Sequence, residues 1–233
     1  MTWLALIVSV AACGSSDPAP PPANGFVFGV FGDGPYSRRE EGPFARMVED
    51  VNRADLAWLI HVGDILGGPC SDEMFRDRRQ KMDAIRHPVI YTPGDNEWTD
   101  CHRPGDGGYD PLERLGAIRR TFFAQPGRTL GGEPMTVETQ GADPAFREFP
   151  ENVRWVRGGF VFATLHLVGS QNGLPRFPGR TAAHDAEVER RTAAALAWLD
   201  AAFQAARASS ARGVVLVTHA NVGLEPSRQR KAY

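Results

Sequence analysis

Three times in this chain a short hydrophobic strand runs directly into Gly-Asp. The segments are FVFGVFGD ending at Asp33, LAWLIHVGD ending at Asp64 and VIYTPGD ending at Asp95. Consecutive aspartates lie 31 residues apart, which is about the length of one strand–helix–strand unit. The repeat therefore predicts parallel strands in one α/β sheet.

The aspartates that follow these strands are expected to meet in space. The carboxyl ends of adjacent parallel strands converge on one crevice, where α/β folds place their ligands. Three carboxylates in one crevice repel one another unless a cation lies between them. The glycine before each aspartate allows the backbone to turn sharply at the strand end. The sequence therefore predicts a metal site built from Asp33, Asp64 and Asp95.

Composition and missing motifs exclude several classes of protein. The 233 residues are enough for one α/β domain, and the net charge of −2 with no long basic run argues against a nucleic-acid binder. A serine hydrolase is disfavoured because the chain has no Gly-x-Ser-x-Gly. A dinucleotide-binding enzyme is disfavoured because no Gly-x-Gly-x-x-Gly follows the first strand.

Hydrophobic periodicity and helix-start residues predict the remaining elements. Pro43 is expected in the first turn of its helix and Ser71 as the N-cap of the next. In the last helix, Leu196, Leu199 and Phe203 are expected to form a buried stripe. We predict helices over 43–54, 71–85, 110–123 and 182–208, and strands over 26–31, 56–62, 89–92, 152–156, 160–168 and 214–218.

The N-terminal segment 1–12 is almost entirely apolar and ends in small residues before Cys13. It resembles a bacterial lipoprotein signal, which is cut before a cysteine that then carries lipid, although a chance cysteine is the alternative. The segment is shorter than the about 20 residues that a membrane-spanning helix needs. The Pro-rich stretch 13–25 is typical of an extended tether. We therefore expect a membrane anchor at Cys13, which places the protein in the bacterial cell envelope, periplasmic or extracellular.

Two cysteines remain after Cys13. Cys70 follows the second Gly-Asp strand and Cys101 follows the third, so both loops leave the same edge of the predicted sheet. An even pair in an oxidising compartment favours a disulfide, which would staple the rim of the proposed site. Two free, buried thiols are the alternative.

The motifs together resemble those of the calcineurin-like metallophosphoesterases. The resemblance rests on the three Gly-Asp strand ends, on a lone histidine, His219, that ends the strand VVLVTH, and on GDNEWTDCHR at 94–103. This last segment, with PCSDE at 69–73, is similar to a bacterial subgroup. The resemblance covers about 26–221. The sequence shows no domain boundary within 26–224, which we expect to be one domain, and a polar tail follows at 225–233. The implied fold is an α/β β-sandwich of four layers, flanked by helices.

The resemblance also implies a dinuclear metal site at the strand ends, holding two ions of Mn, Fe or Zn. Asp33 would hold one metal and Asp64 would bridge both. Asp95 stands where the family has an asparagine ligand, and His219 matches the histidine that binds the second metal.

Several positions depart from the family pattern. Pro35 replaces the first histidine, and Tyr36 beside it is either a phenolate ligand or a buried aromatic residue. Gly67 stands where an aspartate is expected. Asn96 replaces the catalytic histidine and can donate a hydrogen bond, but it cannot act as a general acid. The final Gly-His-x-His block does not occur, so we expect the C-terminal part of the fold to be missing.

Other polar residues are candidates for the roles of proton donor and substrate ligand. His102 and His166 are candidate proton donors, and Arg103 could hold a phosphate oxygen in a bidentate fork. Asn172, in GSQNG, could contact substrate. The alternatives are a solvent-exposed loop pair for His102 and Arg103, a core histidine for His166 and a simple turn at Asn172. Glu97 is expected to orient its neighbours rather than to bind metal.

These features predict a metal-dependent hydrolase that acts on small phosphate esters, either monoesters or diesters. The missing ligands leave a second interpretation open, a non-catalytic cell-surface binding domain on the same scaffold.

Overall fold

The computed structural model describes residues 25–222. The predicted lipidation site Cys13, the segment 1–12 and the polar tail 225–233 lie outside these residues. No helix within the described range is long and apolar enough to cross a bilayer.

The Gly-Asp strands form one parallel sheet, as predicted. Its strands are β1 (Gly29–Phe31), β2 (Leu59–His61) and β3 (Val89–Tyr91), in the order β1-β2-β3. Helix α1 (Arg38–Arg53) connects β1 to β2, and α2 (Asp72–Asp83) connects β2 to β3. The three aspartates therefore follow the same edge of the sheet.

A second sheet contains four strands in the order β4-β5-β6-β7. The pairs β4–β5 and β5–β6 are antiparallel, whereas β7 runs parallel to β6. The chain reaches this sheet after helix α3 (Pro111–Phe122), and a long helix, α4 (Ala182–Ala208), connects β6 to β7. The strands are β4 (Glu138–Thr139), β5 (Val153–Arg157), β6 (Phe160–Thr164) and β7 (Gly213–Val217).

The two sheets pack face to face between helices. Trp58 and Ile90 of the first sheet share an apolar core with Trp155, Phe162 and Val217 of the second. A second core lies between the first sheet and helices α2 and α3, and a third lies between β6 and α4. The described chain is therefore a mixed α/β structure in helix–sheet–sheet–helix layers.

Helix starts follow the local sequence signals in two cases and depart from them in one. Ser71 caps α2 by accepting a hydrogen bond from Met74 N, and α3 begins at Pro111. The predicted helix 43–54 is present, but its predicted start was wrong, because α1 begins at Arg38 and Pro43 lies inside it. Acidic residues in its first turn favour this earlier start, since they complement the helix dipole.

Val30 of β1, an edge strand of the described sheet, is 59 % exposed. The predicted buried stripe of the last helix was wrong. On α4, Leu196 is 59 % exposed and Phe203 is exposed as well. The buried face of α4 instead carries Ala194, Ala195, Trp198 and Ala202, because small side chains let the helix approach the sheet closely.

The predicted disulfide is confirmed. Cys70 and Cys101 are bonded, with their Cα atoms 5.8 Å apart and a sequence separation of 31 residues. The two sulfur atoms lie 3.3 and 3.6 Å from the carbonyl oxygen of Asn96. The bond therefore ties the loop after β2 to the loop after β3, directly beside the candidate site.

Replacing both cysteines by serine (Cys70→Ser with Cys101→Ser) should lower the free energy of unfolding by about 3 kcal/mol, because the bond closes a long loop in the unfolded chain. Urea unfolding of the purified protein measures this loss, with Cys13→Ser as the control for removing a cysteine outside the bond. Equal midpoints for the double variant and the wild type would contradict the prediction.

Candidate metal centre

Three side chains converge where the two sheets meet. Ligand atoms of Asp64, Asp95 and His219 all lie within 4.8 Å of one another. His219 Nε2 lies 3.2 Å from Asp95 Oδ1 and 3.6 Å from Asp64 Oδ1. The aspartates follow β2 and β3, whereas His219 follows β7 of the second sheet. Both sheets therefore contribute to one cluster.

Glycines permit the close approach of these loops. A Cβ atom on Gly94 would lie 2.2 Å from Asp64 Oδ1, and one on Gly63 would lie 2.4 Å from Gly94 N. Asp64 itself has a φ of +59°, in the left-handed region that few residues other than glycine adopt. Gly63 and Gly94 are therefore required by contact distance, and Gly63 is also required by its φ of +97°.

The Asp64 carboxylate has partners on two sides. Its Oδ1 accepts a hydrogen bond from Asn96 N at 3.2 Å and faces His219. Its Oδ2 lies 3.4 Å from the Tyr36 hydroxyl. The two oxygens are thus oriented toward different neighbours, which is the arrangement that a bridging ligand needs.

Asp33 reaches the cluster through Tyr36. The Tyr36 hydroxyl donates to Asp33 Oδ1 at 2.8 Å, so the phenol lies between the two carboxylates. Backbone bonds from Asp33 N to Gly63 O at 3.1 Å and from Gly34 N to Asp64 O at 2.9 Å tie the two loops together. Asp33 is exposed and lies outside the three-residue cluster.

Tyr36 also occupies the space beside Gly67. A Cβ atom on Gly67 would lie 2.5 Å from Tyr36 Cβ and 2.7 Å from Tyr36 O. The position at which the family resemblance implies an aspartate is therefore filled by a tyrosine from another loop. Sequence spacing does not reveal this relation, because it depends on how two loops stack.

The charges in the cluster are strongly coupled. Burial opposes a charge on His219, but the hydrogen bond to Asp95 and the charge of Asp64 raise its pKa to about 9. Burial and the charge of Glu97 raise the pKa of Asp64 to about 7. Burial also acts against ionisation of Asp95, yet hydrogen bonds from His219 and Ser170 hold its pKa below the usual range. A protonated imidazole therefore offsets the carboxylate charge at neutral pH.

The His219 ring is oriented by its other nitrogen. Nδ1 lies 2.8 Å from Val62 O, and because a carbonyl oxygen only accepts, Nδ1 carries a proton and donates it. This bond directs Nε2 toward the carboxylates. Nε2 is therefore the nitrogen that is available to a cation once the ring is neutral.

Glu97 joins the loops after β2 and β3. Its side chain is fully buried, and Oε1 accepts from Gly94 N at 2.6 Å, from the Tyr91 hydroxyl at 2.8 Å and from Asp64 N at 3.2 Å. Burial raises the pKa of this carboxyl. Glu97 thus fixes the backbone from which both cluster aspartates project.

The side chains of three further predicted residues have partners other than Asp64, Asp95 and His219. The side chain of Asn96 donates from Nδ2 to Leu66 O at 3.2 Å. His102 donates from Nδ1 to Thr99 O at 2.7 Å, and its ring stacks on Phe177 at a centroid distance of 4.3 Å. Arg103 forms an ion pair with Asp100 at 2.9 Å.

His166 and Asn172 belong to a buried polar network. His166 Nδ1 lies 2.9 Å from Glu151, which also pairs with Arg119 at 2.6 Å, and both His166 and Glu151 are fully buried. Burial lowers the pKa of His166 against the opposing effect of Glu151. Asn172 accepts a hydrogen bond from Arg191 through its backbone oxygen at 2.9 Å. These contacts agree with the alternative interpretations of the two residues, a core histidine for His166 and a turn at Asn172.

Ser170 was not predicted from the sequence as a site residue. Its hydroxyl donates to Asp95 Oδ2 at 2.6 Å, from a turn in which Ser170, Gln171 and Asn172 all have positive φ. Gly169 and Gly173, the first and last residues of GSQNG, indicated an unusual turn, but nothing in the sequence placed that turn against Asp95.

A cavity of about 620 Å³ lies away from the cluster. It is lined by Trp58 and Pro88, near the amino ends of β2 and β3, and by Trp155 of β5. The cluster lies past the opposite, carboxyl ends of β2 and β3. None of the predicted site residues lines this cavity.

Comparisons with protein-family models, with curated proteins and with solved structures gave no match. The resemblance to calcineurin-like metallophosphoesterases therefore rests on the motifs in the sequence.

Gly67→Ala should destabilise the protein by about 1 to 3 kcal/mol, because the new methyl group would collide with the backbone of Tyr36. Gly68→Ala is the matched control, since a Cβ atom at Gly68 has nothing within 4 Å. Urea unfolding measures both variants. If the two variants have the same stability, Tyr36 does not pack over Gly67.

Proposed function

We propose that this protein is a metal-dependent hydrolase of small phosphate esters whose principal metal ligands are Asp64, Asp95 and His219. The observation that carries this proposal is the convergence of three ligand atoms within 4.8 Å from three separate strand ends. Both aspartates are largely buried, and buried carboxylates at this spacing need a compensating cation.

The donor set fits a transition-metal ion. Two carboxylate oxygens and one imidazole nitrogen suit Mn, Fe or Zn, and the bond from His219 Nδ1 to Val62 O is the outer support that ligating histidines usually have. Asp33, on the Oδ2 side of Asp64, would supply a carboxylate to a second ion, whereas burial and the two carboxylates raise the pKa of Tyr36 and keep its hydroxyl protonated. Asp64 would then bridge the two ions.

Bound ions would polarise a phosphoryl oxygen and lower the pKa of a bound water molecule. The side chains of this protein would position the ester. Arg103 has an exposed side chain at the end of the loop that carries Asp95, where a guanidinium can hold a phosphate oxygen. His102, in the same loop, is the candidate proton donor, because Asn96 cannot act as an acid.

A non-catalytic binding domain is the second candidate. It is favoured by the position of Asn96, whose side-chain amide bonds to Leu66 O and supplies no acid to the cluster. It is also favoured by the burial of His166 with Glu151, which leaves this histidine occupied. Hydrolysis by the metal-loaded protein distinguishes the two functions.

Full-length wild-type protein should purify with near-stoichiometric Mn, Fe or Zn, and Asp64→Asn should lose that metal because Asp64 faces both sides of the site. Mass spectrometry of metal content measures this, together with hydrolysis of p-nitrophenyl phosphate and bis(p-nitrophenyl) phosphate. Asp55→Asn, an exposed residue between α1 and β2, is the matched control.

For Asp64→Asn we expect hydrolysis to fall at least about 100-fold. Metal without hydrolysis of either ester would favour the binding domain. A folded wild type that takes up no metal would refute the proposed site.

Metal affinity should increase with pH. His219 must lose a proton with a pKa of about 9 before Nε2 can bind metal, so the affinity should rise about tenfold per pH unit between pH 7 and 8.5. Below about pH 7 the protonation of Asp64 should steepen the slope. Mn²⁺ titration by calorimetry in several buffers measures both the affinity and the proton released. An affinity that is constant from pH 6.5 to 8.5 would contradict the prediction.

A further inference from the structure

The turn 169–173 carries unusual backbone strain. Ser170, Gln171 and Asn172 have φ values of +47°, +53° and +59°, so three consecutive residues with side chains adopt the left-handed conformation. Each such residue costs free energy, because its Cβ atom crowds the following carbonyl oxygen. Strain of this kind persists only where the surroundings enforce it, and it is concentrated at functional sites.

A buried arginine enforces this turn. Arg191 is fully buried, and its guanidinium donates to Asn172 O at 2.9 Å and also to Asn172 Oδ1. It donates further to His166 O at 3.3 Å and to Glu187 at 2.8 and 3.2 Å. These bonds use all five N–H groups of the side chain. The turn is thus held by a fully satisfied buried cation.

The enforced turn packs against Asp95. The Ser170 hydroxyl lies 2.6 Å from Asp95 Oδ2, and a Cβ atom on Gly169 would lie 2.7 Å from the same oxygen. Ser170 Oγ also lies 3.2 Å from Asp100 Oδ2. A hydroxyl has one proton, and the shorter contact identifies Asp95 as its acceptor.

The two carboxylate oxygens of Asp95 therefore have different partners. Oδ2 is engaged by Ser170, whereas Oδ1 faces His219 Nε2 at 3.2 Å. A carboxylate held in this way presents a single oxygen to the cluster and cannot rotate without breaking the bond to Ser170. Partners that orient a ligand in this manner change metal affinity strongly.

We propose that Ser170 is a positioning residue that keeps Asp95 Oδ1 directed at the metal cluster, and that Arg191 maintains the strained turn in order to place it there. The role in metal binding rests on the proposed function. The orientation of the Asp95 carboxylate does not, and it can be tested on its own.

Two glycine variants separate the hydroxyl from the strain. Ser170→Gly and Gln171→Gly each place glycine at a positive φ, so both should fold with unchanged or raised Tm. Only Ser170→Gly removes the hydrogen bond to Asp95. We expect its dissociation constant for Mn²⁺ to rise about tenfold or more, while Gln171→Gly keeps the wild-type value. Arg191→Lys should show the same loss as Ser170→Gly, because lysine cannot hold both oxygens of Asn172.

The outcomes distinguish this inference from the proposed function. If the wild type binds Mn²⁺ and Ser170→Gly binds it equally well, the role of Ser170 is wrong while the metal site stands. If the wild type binds no metal, the proposed function fails. Crystal structures of the metal-free variants then test whether Ser170 orients Asp95. The Asp95 carboxylate should turn away from His219 in Ser170→Gly and keep its orientation in Gln171→Gly. An unchanged Asp95 in both variants overturns the inference.

Discussion

The repulsion between Asp64 and Asp95 is the constraint on which the arrangement of this site depends. Two adjacent parallel strands project both carboxylates into one largely buried crevice, where repulsion between like charges is poorly screened. His219 offsets it, and His219 follows β7 of the other sheet. The contact between the sheets is therefore electrostatic at this end and apolar between their faces, where Trp58 packs against Phe162. A bound metal ion would offset the repulsion between the two carboxylates in place of the imidazolium.

Backbone strain is concentrated around the same point. Of the six residues other than glycine with positive φ between positions 25 and 222, five belong to the loops described above, and only Ser210 lies elsewhere, just past α4. The five are Asp33, Asp64, Ser170, Gln171 and Asn172. A core that needed only to be stable would not require this strain, so its location supports a functional role for the cluster. The buried side chains of Arg191 and Glu97 form the hydrogen bonds that hold these loops in place.

The parts predictable from the sequence were those that depend on local pattern. The Gly-Asp repeat predicted the parallel sheet, and helix 182–208 has the predicted bounds. The stripe on that helix was misplaced because the apolar pattern favours leucine, whereas the close contact with the sheet selects alanine at Ala195 and Ala202. Ser170 could not be predicted, since its contact with Asp95 depends on a turn that Arg191 holds from another element. Non-local contacts of this kind produce no periodic pattern in the amino-acid sequence.

Two positions that depart from the pattern of the resemblance, Pro35 and Gly67, meet at the loop that carries Tyr36. The resemblance counts the missing histidine at Pro35 and the missing aspartate at Gly67 as separate losses. In the structure, Tyr36 occupies the space that any side chain at position 67 would need, with Cβ atoms only 2.5 Å apart. The close contacts are with the Cα, Cβ and O atoms of Tyr36, so the path of this loop excludes an aspartate at position 67. The tyrosine also places a hydroxyl between Asp33 and Asp64, where a ligand from either missing residue would be useful. Under the proposed function, this hydroxyl would orient the two carboxylates by donating hydrogen bonds to them.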